Sequence, residues 1–420
     1  TNGGAAPAGA TVFITGAVNS EPGVGGSLAV ATGSAAATLS GEVGTADGGL
    51  LGFLSINAGA GLSLGGGIVR TTGEQTYNGP TTFANGTTFS SSGANVTFNG
   101  VVTGVPNVQV APGTGIVTFN RPVGLLGTFT AAAGQRFVFN STASFGTLTA
   151  AGGSITLNGA ASADLIHVQP DGVVTGLGAV SAVLRATGGT VSGPGLLTLR
   201  PGTSEIAGGP FTLSKPVSIR GELRWTMGAW SLHSTLTITP GTLLNIGTAS
   251  TMSGTGGIVN VGHITVRTLG TARINGPVIT QHGVLEIIRG VLDYQAGGGT
   301  FTNSGSLVLW AGAQLSIDGH FAQSAVGSMT IRLSALSPAT RPAVVATGSL
   351  ALAGSLTIDA TGVPDRILLS AQTLLHGASR SGVFGSVSLV GLSPKSPALL
   401  VAYTPRGLDL FGARVMRGPE

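Results

Sequence analysis

Gly283-Val284-Leu285-Glu286-Ile287 is followed 22 residues later by Gly305-Ser306-Leu307-Val308-Leu309, and after a further 22 by Gly327-Ser328-Met329-Thr330-Ile331. Each segment has apolar residues two and four positions after its glycine. Apolar residues at a period of two are typical of a β-strand with one buried face. A strand that returns at the same phase in every repeat predicts parallel strands, stacked one turn above another. These segments decide the fold.

The same Gly-x-apolar step recurs through the middle of the chain at intervals of 20 to 22 residues. The glycines are Gly221, Gly241, Gly262, Gly283, Gly305, Gly327 and Gly348. The residues two positions later form one apolar column, which contains Leu223, Leu243, Ile264, Leu285, Leu307, Met329 and Leu350. The residues four positions later form a second column, whose one polar member is Asn245. We expect both columns to be continuous ladders inside the coil, where each buried side chain contributes about 1.5–3 kcal/mol.

Less regular repeats extend this organisation toward both ends of the chain. Residues 126–131 return as 145–150, and short strands are predicted near residues 11–15, 27–31, 95–98 and 116–119. After residue 347 prolines interrupt the pattern. We therefore predict a flexible segment over 1–10, a parallel β-helix over 11–335, and a β-rich C-terminal cap over 336–420 that covers the open end of the coil.

Composition excludes several classes of protein. Cysteine is absent, which excludes a disulfide scaffold, a cysteine-ligated metal and a cysteine nucleophile. The 72 glycines among 420 residues do not recur at every third position, so the chain is not collagen. The net charge of +4 comes from bases that are spread singly, which predicts no nucleic-acid binding. The uncharged tract 48–69 is interrupted by glycines and contains paired strand patterns, which predicts no membrane insertion.

Carboxylates and histidines do not form a predicted reaction centre. Relative to the repeat glycines, Glu286, Asp293, Asp318 and Asp359 fall at positions +3, +10, +13 and +11, so they do not line up on neighbouring turns. The six histidines form no pair at metal-ligand spacing. We therefore expect no enzyme activity, no bound metal and no cofactor.

One row of larger side chains lies five positions after consecutive repeat glycines. It contains Arg267, then Ile288 with Arg289 beside it, then Trp310 and Arg332. On stacked turns these residues would lie about 5 Å apart, and an arginine over the tryptophan ring would contribute about 0.5–1 kcal/mol. Two interpretations remain open: a stripe that binds a glycan or a partner, or ordinary solvated surface.

Several segments carry a resemblance to a known group of proteins. They are Val12-Phe13-Ile14-Thr15-Gly16-Ala17-Val18, Thr71-Thr72-Gly73-Glu74-Gln75-Thr76-Tyr77-Asn78-Gly79, Asn95-Val96-Thr97-Phe98-Asn99-Gly100 and Gly299-Thr300-Phe301-Thr302-Asn303-Ser304-Gly305-Ser306-Leu307. The chain resembles bacterial β-strand-repeat surface proteins related to filamentous-haemagglutinin-like adhesins and autotransporter passengers. This resemblance implies a right-handed parallel β-helix, export to the surface of a bacterium, and a role in adhesion or in a structural matrix.

The predicted function is structural. We expect a secreted or cell-surface β-solenoid of a bacterial surface or matrix, rod-like and able to polymerise end to end. One alternative is a monomeric adhesin or glycan-binding passenger, and another is a polysaccharide-processing enzyme on a β-helix. The expected partners are further copies of the chain, surface glycans, and host or neighbouring cells.

Overall fold

The computed structural model describes residues 9–45, 49–84, 87–104, 109–110, 115–336, 341–393 and 396–413. These residues are nearly all β-structure, and the chain divides into two compact units, 1–198 and 199–420. In each unit parallel strands stack in turns of roughly 21 residues, which confirms the predicted parallel β-solenoid. Residues 1–8 of the predicted flexible segment lie outside the described residues.

The first unit contains strands β1 to β21. In chain order they are Val12–Ile14, Leu28–Gly33, Ala36–Leu39, Leu54–Ala58, Gly61–Leu64, Ile68–Thr71, Gln75–Tyr77, Thr81–Phe83, Thr88–Ser91, Val96–Phe98, Val102–Gly104, Gln109–Val110, Ile116–Phe119, Val123–Ala132, Arg136–Phe139, Ala143–Ala151, Ser154–Leu157, Ala161–Val168, Val173–Thr175, Val180–Ala186 and Gly189–Val191. Strand β22 is Leu197–Leu199.

Strands of the first unit stack in columns whose turns shorten along the chain. One column begins with β1, β3 and β5, another with β2, β4 and β7, and a third contains β6, β9 and β12. Side chains that hydrogen-bond between neighbouring turns are 26 residues apart near the start, 21 in the middle and 18 near Asn158. The period is therefore a local property of each turn.

Aromatic rings fill the interior of the first unit. Tyr77, Phe98, Phe119 and Phe139 stack on consecutive turns, with ring centroids 4.7, 5.0 and 4.7 Å apart. An asparagine follows each ring and points outward, because successive side chains of a strand alternate between faces. The amides of these asparagines and of Asn158 hydrogen-bond from turn to turn at 2.7–2.9 Å. An apolar stack and an amide ladder thus run on opposite sides of the same strands.

The second unit contains strands β23 to β45 and a short helix, α1 (Asp365–Leu368). In chain order the strands are Thr203–Ile206, Phe211–Leu213, Val217–Ile219, Glu222–Trp225, Trp230–Leu232, Thr235–Ile238, Leu243–Ile246, Thr251–Ser253, Gly257–Asn260, His263–Asn275, Val278–Gln281, Val284–Asn303, Ser306–Leu309, Gln314–Gln323, Ser328–Arg332, Val344–Ala346, Ser349–Leu352, Ser355–Asp359, Gln372–His376, Ser379–Gly382, Ser386–Val390, Ala398–Thr404 and Gly407–Ala413.

The predicted apolar columns are present in the second unit. Leu285 lies directly under Leu307, and Leu307 lies under Met329, with exposed fractions of 1%, 0% and 1%. The residues between them face outward and are partly exposed. These strands therefore bury one face inside the coil, as their period of two predicts.

One predicted member of each column is wrong by a single position. Leu223 faces Leu244 rather than Leu243, and Trp225 faces Ile246 rather than Asn245. The side chains of Leu244 and Ile246 are fully buried. The loop that contains Gly241 is one residue longer than the repeat implies, so the second column continues without a polar member and Asn245 lies on the outer face.

The final predicted repeat is also displaced. Met329 faces Leu356 of Ser355–Asp359 (β40), whereas Leu350 of Ser349–Leu352 (β39) faces Phe321. The glycine that corresponds to Gly327 is therefore Gly354 and not Gly348. A long connection between Arg332 and Val344 makes this turn longer than its predecessors, and the glycine spacing near 21 residues at Gly348 is a coincidence.

Parallel pairing continues beyond residue 335. Strand β43 (Ser386–Val390) pairs with β40, and β42 (Ser379–Gly382) pairs with β39. The chain then forms an antiparallel hairpin of β44 and β45, whose second strand pairs with β41 (Gln372–His376). The hairpin covers one side of the last turn, and the predicted domain boundary at residue 335 stays a prediction.

Candidate functional site

The four residues of the predicted surface stripe lie on consecutive turns of the second unit. Arg267 lies in β32 (His263–Asn275), and Arg289 lies in β34 (Val284–Asn303). Trp310 directly follows β35 (Ser306–Leu309), and Arg332 ends β37 (Ser328–Arg332). The arginines of β32 and β34 are exposed, whereas Trp310 and Arg332 are partly buried.

A β-bulge aligns the first two members of the stripe. Val266 faces Ile287, but the next residue, Arg267, faces Arg289, so Ile288 is an extra residue in β34. A bulge redirects the side chains that follow it. The sequence repeat alone would place Ile288 opposite Arg267, whereas the structure places two guanidinium-bearing residues in register on neighbouring strands.

Trp310 uses its ring face and its indole N–H for contacts within the protein. The guanidinium carbon of Arg332 lies 3.9 Å from the ring centroid. The indole N–H donates a hydrogen bond of 2.7 Å to Oε1 of Glu286, one turn earlier. These contacts hold the ring between its two neighbours, and they occupy one face of the ring and the indole N–H.

The contacts of Trp310 continue on both sides into a longer row of polar side chains, called the polar row below. Nε2 of His263 lies 3.3 Å from Oε2 of Glu286. On the other side, Nε of Arg332 lies 3.7 Å from Oδ2 of Asp359. The polar row therefore connects five consecutive turns through His263, Glu286, Trp310, Arg332 and Asp359.

Hydrogen bonds lower the pKa of Asp359, the last member of the polar row. The hydroxyl and the backbone N–H of Thr361 both bond to the carboxylate of Asp359, and together with the smaller effect of Arg332 they hold the pKa of Asp359 below its ordinary value. The lowered pKa keeps this carboxylate charged to lower pH than usual, and its negative charge offsets the positive charge of Arg332.

Three members of this polar row, His263, Glu286 and Asp359, were missing from the predicted stripe. Asp359 lies five positions after Gly354, the same offset that Arg332 has from Gly327. Counting from Gly354 instead of Gly348 would have placed it in the stripe. Glu286 lies three positions after Gly283, and it reaches Trp310 because that residue is in the next turn.

Carboxylates elsewhere in the second unit are engaged by neighbouring polar side chains. Asp293 pairs with Arg273 at 2.9 Å, and Glu222 pairs with Arg224 at 2.8 Å. Asp318 accepts a hydrogen bond of 3.2 Å from the hydroxyl of Thr347. The hydrogen bond from Arg224 is the main cause of a lowered pKa at Glu222.

The part of the chain that the structure describes contains no group of three histidine or carboxylate side chains placed to hold a metal ion. None of its helices is both long and apolar enough to cross a membrane.

No protein-family model, curated protein or solved structure matches this chain. The resemblance to bacterial surface proteins therefore stays a prediction from the segments quoted above, and function has to be argued from the geometry.

Proposed function

We propose that this chain is an extracellular structural β-solenoid of a bacterial surface or matrix, and that copies of it associate end to end. The observation that carries the proposal is an uncovered strand edge at the last parallel turn, where a position of the interior column is exposed. The sequence resemblance supports the surface location, and the fold supports a structural role.

The uncovered edge belongs to β43. This strand pairs with β40 on one side, and no described strand pairs with its other side. Val387 continues the column of Met329 and Leu356, which are each 1% exposed, yet it is 38% exposed itself. Val383, which precedes the strand, and Val390, which ends it, are 53% and 41% exposed. Free backbone groups next to apolar side chains favour pairing with another strand.

The first turn of the chain offers a matching edge. Strand β1 pairs with β3 on one side, and no described strand pairs with its other side. Val12 and Ile14 are partly exposed, although Ala37 and Leu39 directly above them are 0% and 1% exposed. The first turn thus leaves one edge of a parallel ladder open, and the last turn leaves the opposite edge open.

Charge at the two ends is complementary. Among the described residues, those up to residue 50 include two acidic side chains and no basic one, whereas those from residue 361 onward include three basic and two acidic side chains. Opposite charges attract a first turn to a last turn and disfavour contacts between identical ends. A contact between two different surfaces that does not close into a ring generates a filament.

The experiment compares Val387→Lys with Val326→Lys, a matched change at a valine that is 83% exposed in a turn. Negative-stain microscopy and sedimentation velocity would be run over a series of protein concentrations. We expect concentration-dependent linear assemblies for the wild type and for Val326→Lys, and dispersed monomers for Val387→Lys. Monodisperse wild type at every concentration would contradict the proposal, as would unchanged assembly of Val387→Lys.

The surface location requires a separate measurement. Intact producing cells would be treated with a protease that does not enter them, and the chain would be followed with an antibody. We expect the chain to be digested on intact cells while a cytoplasmic control protein is protected. Equal protection of the two proteins would contradict an extracellular location.

A further inference from the structure

Arg267 and Arg289 are two exposed arginines that face each other on neighbouring strands. Neighbouring strands of a sheet are about 4.8 Å apart, so the two side chains leave the surface side by side. Like charges directly opposite each other are unfavourable. The bulge at Ile288 creates this pairing, because regular pairing would put an isoleucine opposite Arg267.

Neither guanidinium is neutralised by a carboxylate in the part of the chain that the structure describes. Other arginines of this unit have carboxylate partners, with Arg224 on Glu222, Arg273 on Asp293 and Arg332 on Asp359. Arg267 and Arg289 form no ion pair with a described residue. The nearby carboxylate of Glu286 is already engaged by Trp310 and His263. The pair therefore presents two uncompensated positive charges to the solvent.

We propose that Arg267 and Arg289 bind an acidic group of an anionic polysaccharide, either a carboxylate or a sulfate ester. A guanidinium presents parallel N–H donors that match two oxygens of such a group, and charge-assisted hydrogen bonds of this kind are strong. The site lies on an exposed strand surface where an extended chain can pass. Trp310 flanks it, with its indole N–H and one ring face already engaged within the protein.

The surroundings favour a polysaccharide over a nucleic acid. A nucleic-acid surface combines many basic residues along the phosphate backbone, and single-stranded forms also need free aromatic faces. Here the next arginine of the row, Arg332, is balanced by Asp359 and lies over the ring of Trp310. Two isolated charges suit acidic groups that are spaced along a sugar chain.

The test uses the full chain and three polymers: polygalacturonate as the carboxylate source, dextran sulfate as the sulfate source, and neutral dextran. Binding would be measured by surface plasmon resonance for the wild type and for Arg267→Gln/Arg289→Gln. The matched control is Arg136→Gln/Arg406→Gln, which removes the same charge at two other exposed arginines. Circular dichroism would check that each variant is folded.

We expect the paired variant to lose about tenfold or more in affinity for an acidic polymer, which corresponds to about 1.4 kcal/mol. The control should change affinity far less, and neutral dextran should not bind. The affinity of Arg267→Lys/Arg289→Lys should lie between that of the wild type and that of the Gln variant. Lysine keeps the positive charge but lacks the paired N–H donors of a guanidinium.

The acidic polymers distinguish the two possible ligands. If the paired variant loses binding to polygalacturonate alone, the ligand is a carboxylate, and if it loses binding to dextran sulfate alone, the ligand is a sulfate ester. Equal losses in the paired variant and in the control would overturn the proposal, because binding would then follow net charge. Duplex DNA that binds more tightly than either acidic polymer, with the same dependence on the pair, would overturn the choice of a polysaccharide.

Discussion

Individual side chains in this solenoid are held mainly by residues one turn above or below them. Trp310 takes its ring contact from Arg332 and its hydrogen bond from Glu286, which lie in different turns. Asn99 and Asn120 bond to asparagines 21 residues away. A substitution in one turn is therefore expected to alter its neighbours on both sides, as in other stacked repeats.

His167 illustrates how such an environment changes a titrating group. It faces Thr149 in one neighbouring turn and Arg185 in the other. Its Nε2 is enclosed without a hydrogen-bond partner among the described residues. Burial, and to a smaller extent the charge of Arg185, lowers the pKa of His167 below 6.5. The folded protein therefore resists protonation of this ring.

The first prediction concerns the pH dependence of stability. Below pH 6.5 the unfolded chain binds a proton at His167 that the folded chain does not, so stability should fall as pH drops through this value toward the lower folded pKa. His167→Gln should reduce the difference in urea midpoint between pH 7.5 and pH 5.5. His282→Gln, at an exposed histidine, is the control. Identical pH dependence in wild type and His167→Gln would contradict this account.

At the scale of a strand and its turn, glycine is required where two backbones meet. A Cβ on Gly283 would lie 2.1 Å from the carbonyl oxygen of Gly262, and one on Gly305 would lie 2.1 Å from that of Gly283. These oxygens accept hydrogen bonds of 2.8 Å from Val284 and Ser306. They are part of the ladder and cannot move away, which explains why glycine precedes the strand in turn after turn.

The second prediction compares two glycines of the same unit. Gly283→Ala should destabilise the protein by at least about 1–3 kcal/mol, because the methyl group overlaps a hydrogen-bonded carbonyl. Gly247→Ala should be neutral or slightly stabilising, since its Cβ would have only the carbonyl oxygen of Trp225 nearby, at 3.8 Å. Guanidinium unfolding followed by circular dichroism measures both. Similar unfolding midpoints for the two variants would contradict the explanation that the close approach of two backbones requires glycine at position 283.

The sequence predicts strands better than it predicts which strand lies over which. Alternation of apolar residues is local, so the stacking of Leu285, Leu307 and Met329 could be predicted. Register depends on loop length, and loops carry no apolar period. A loop one residue longer at Gly241 moved Leu244 into the column, and the longer connection after Arg332 moved Leu356 there.

The same limit applies to the candidate site. The offset from the repeat glycine correctly predicted the contact between Arg332 and Trp310. It missed Asp359 because the last glycine was misaligned, and it did not reveal the bulge at Ile288. The sequence named both Arg267 and Arg289, but their pairing in register is visible only in the structure.

At the scale of the whole molecule, the distribution of charge bears on the proposed assembly. In the proposed assembly, acidic side chains near the start and basic side chains near the end would attract different ends over distances longer than a strand contact. This attraction would be screened by salt, with a Debye length of about 10 Å at 0.1 M and about 3 Å at 1 M. Apolar contacts at Val387 would not be screened in this way. Salt should consequently slow association more than it loosens a formed contact.

The third prediction follows from this difference. Raising sodium chloride from about 0.1 M to about 1 M should slow assembly severalfold by light scattering, because the Debye length shortens. Glu21→Lys, which reverses an exposed charge in the first turn, should slow assembly at low salt and lose its effect at high salt. Glu74→Lys makes the same change at an exposed residue further along the chain and should have a smaller effect. Equal slowing by both variants would show that the effect depends on net charge and not on the first turn. An assembly rate that does not change with salt would contradict the proposed attraction between the charged ends.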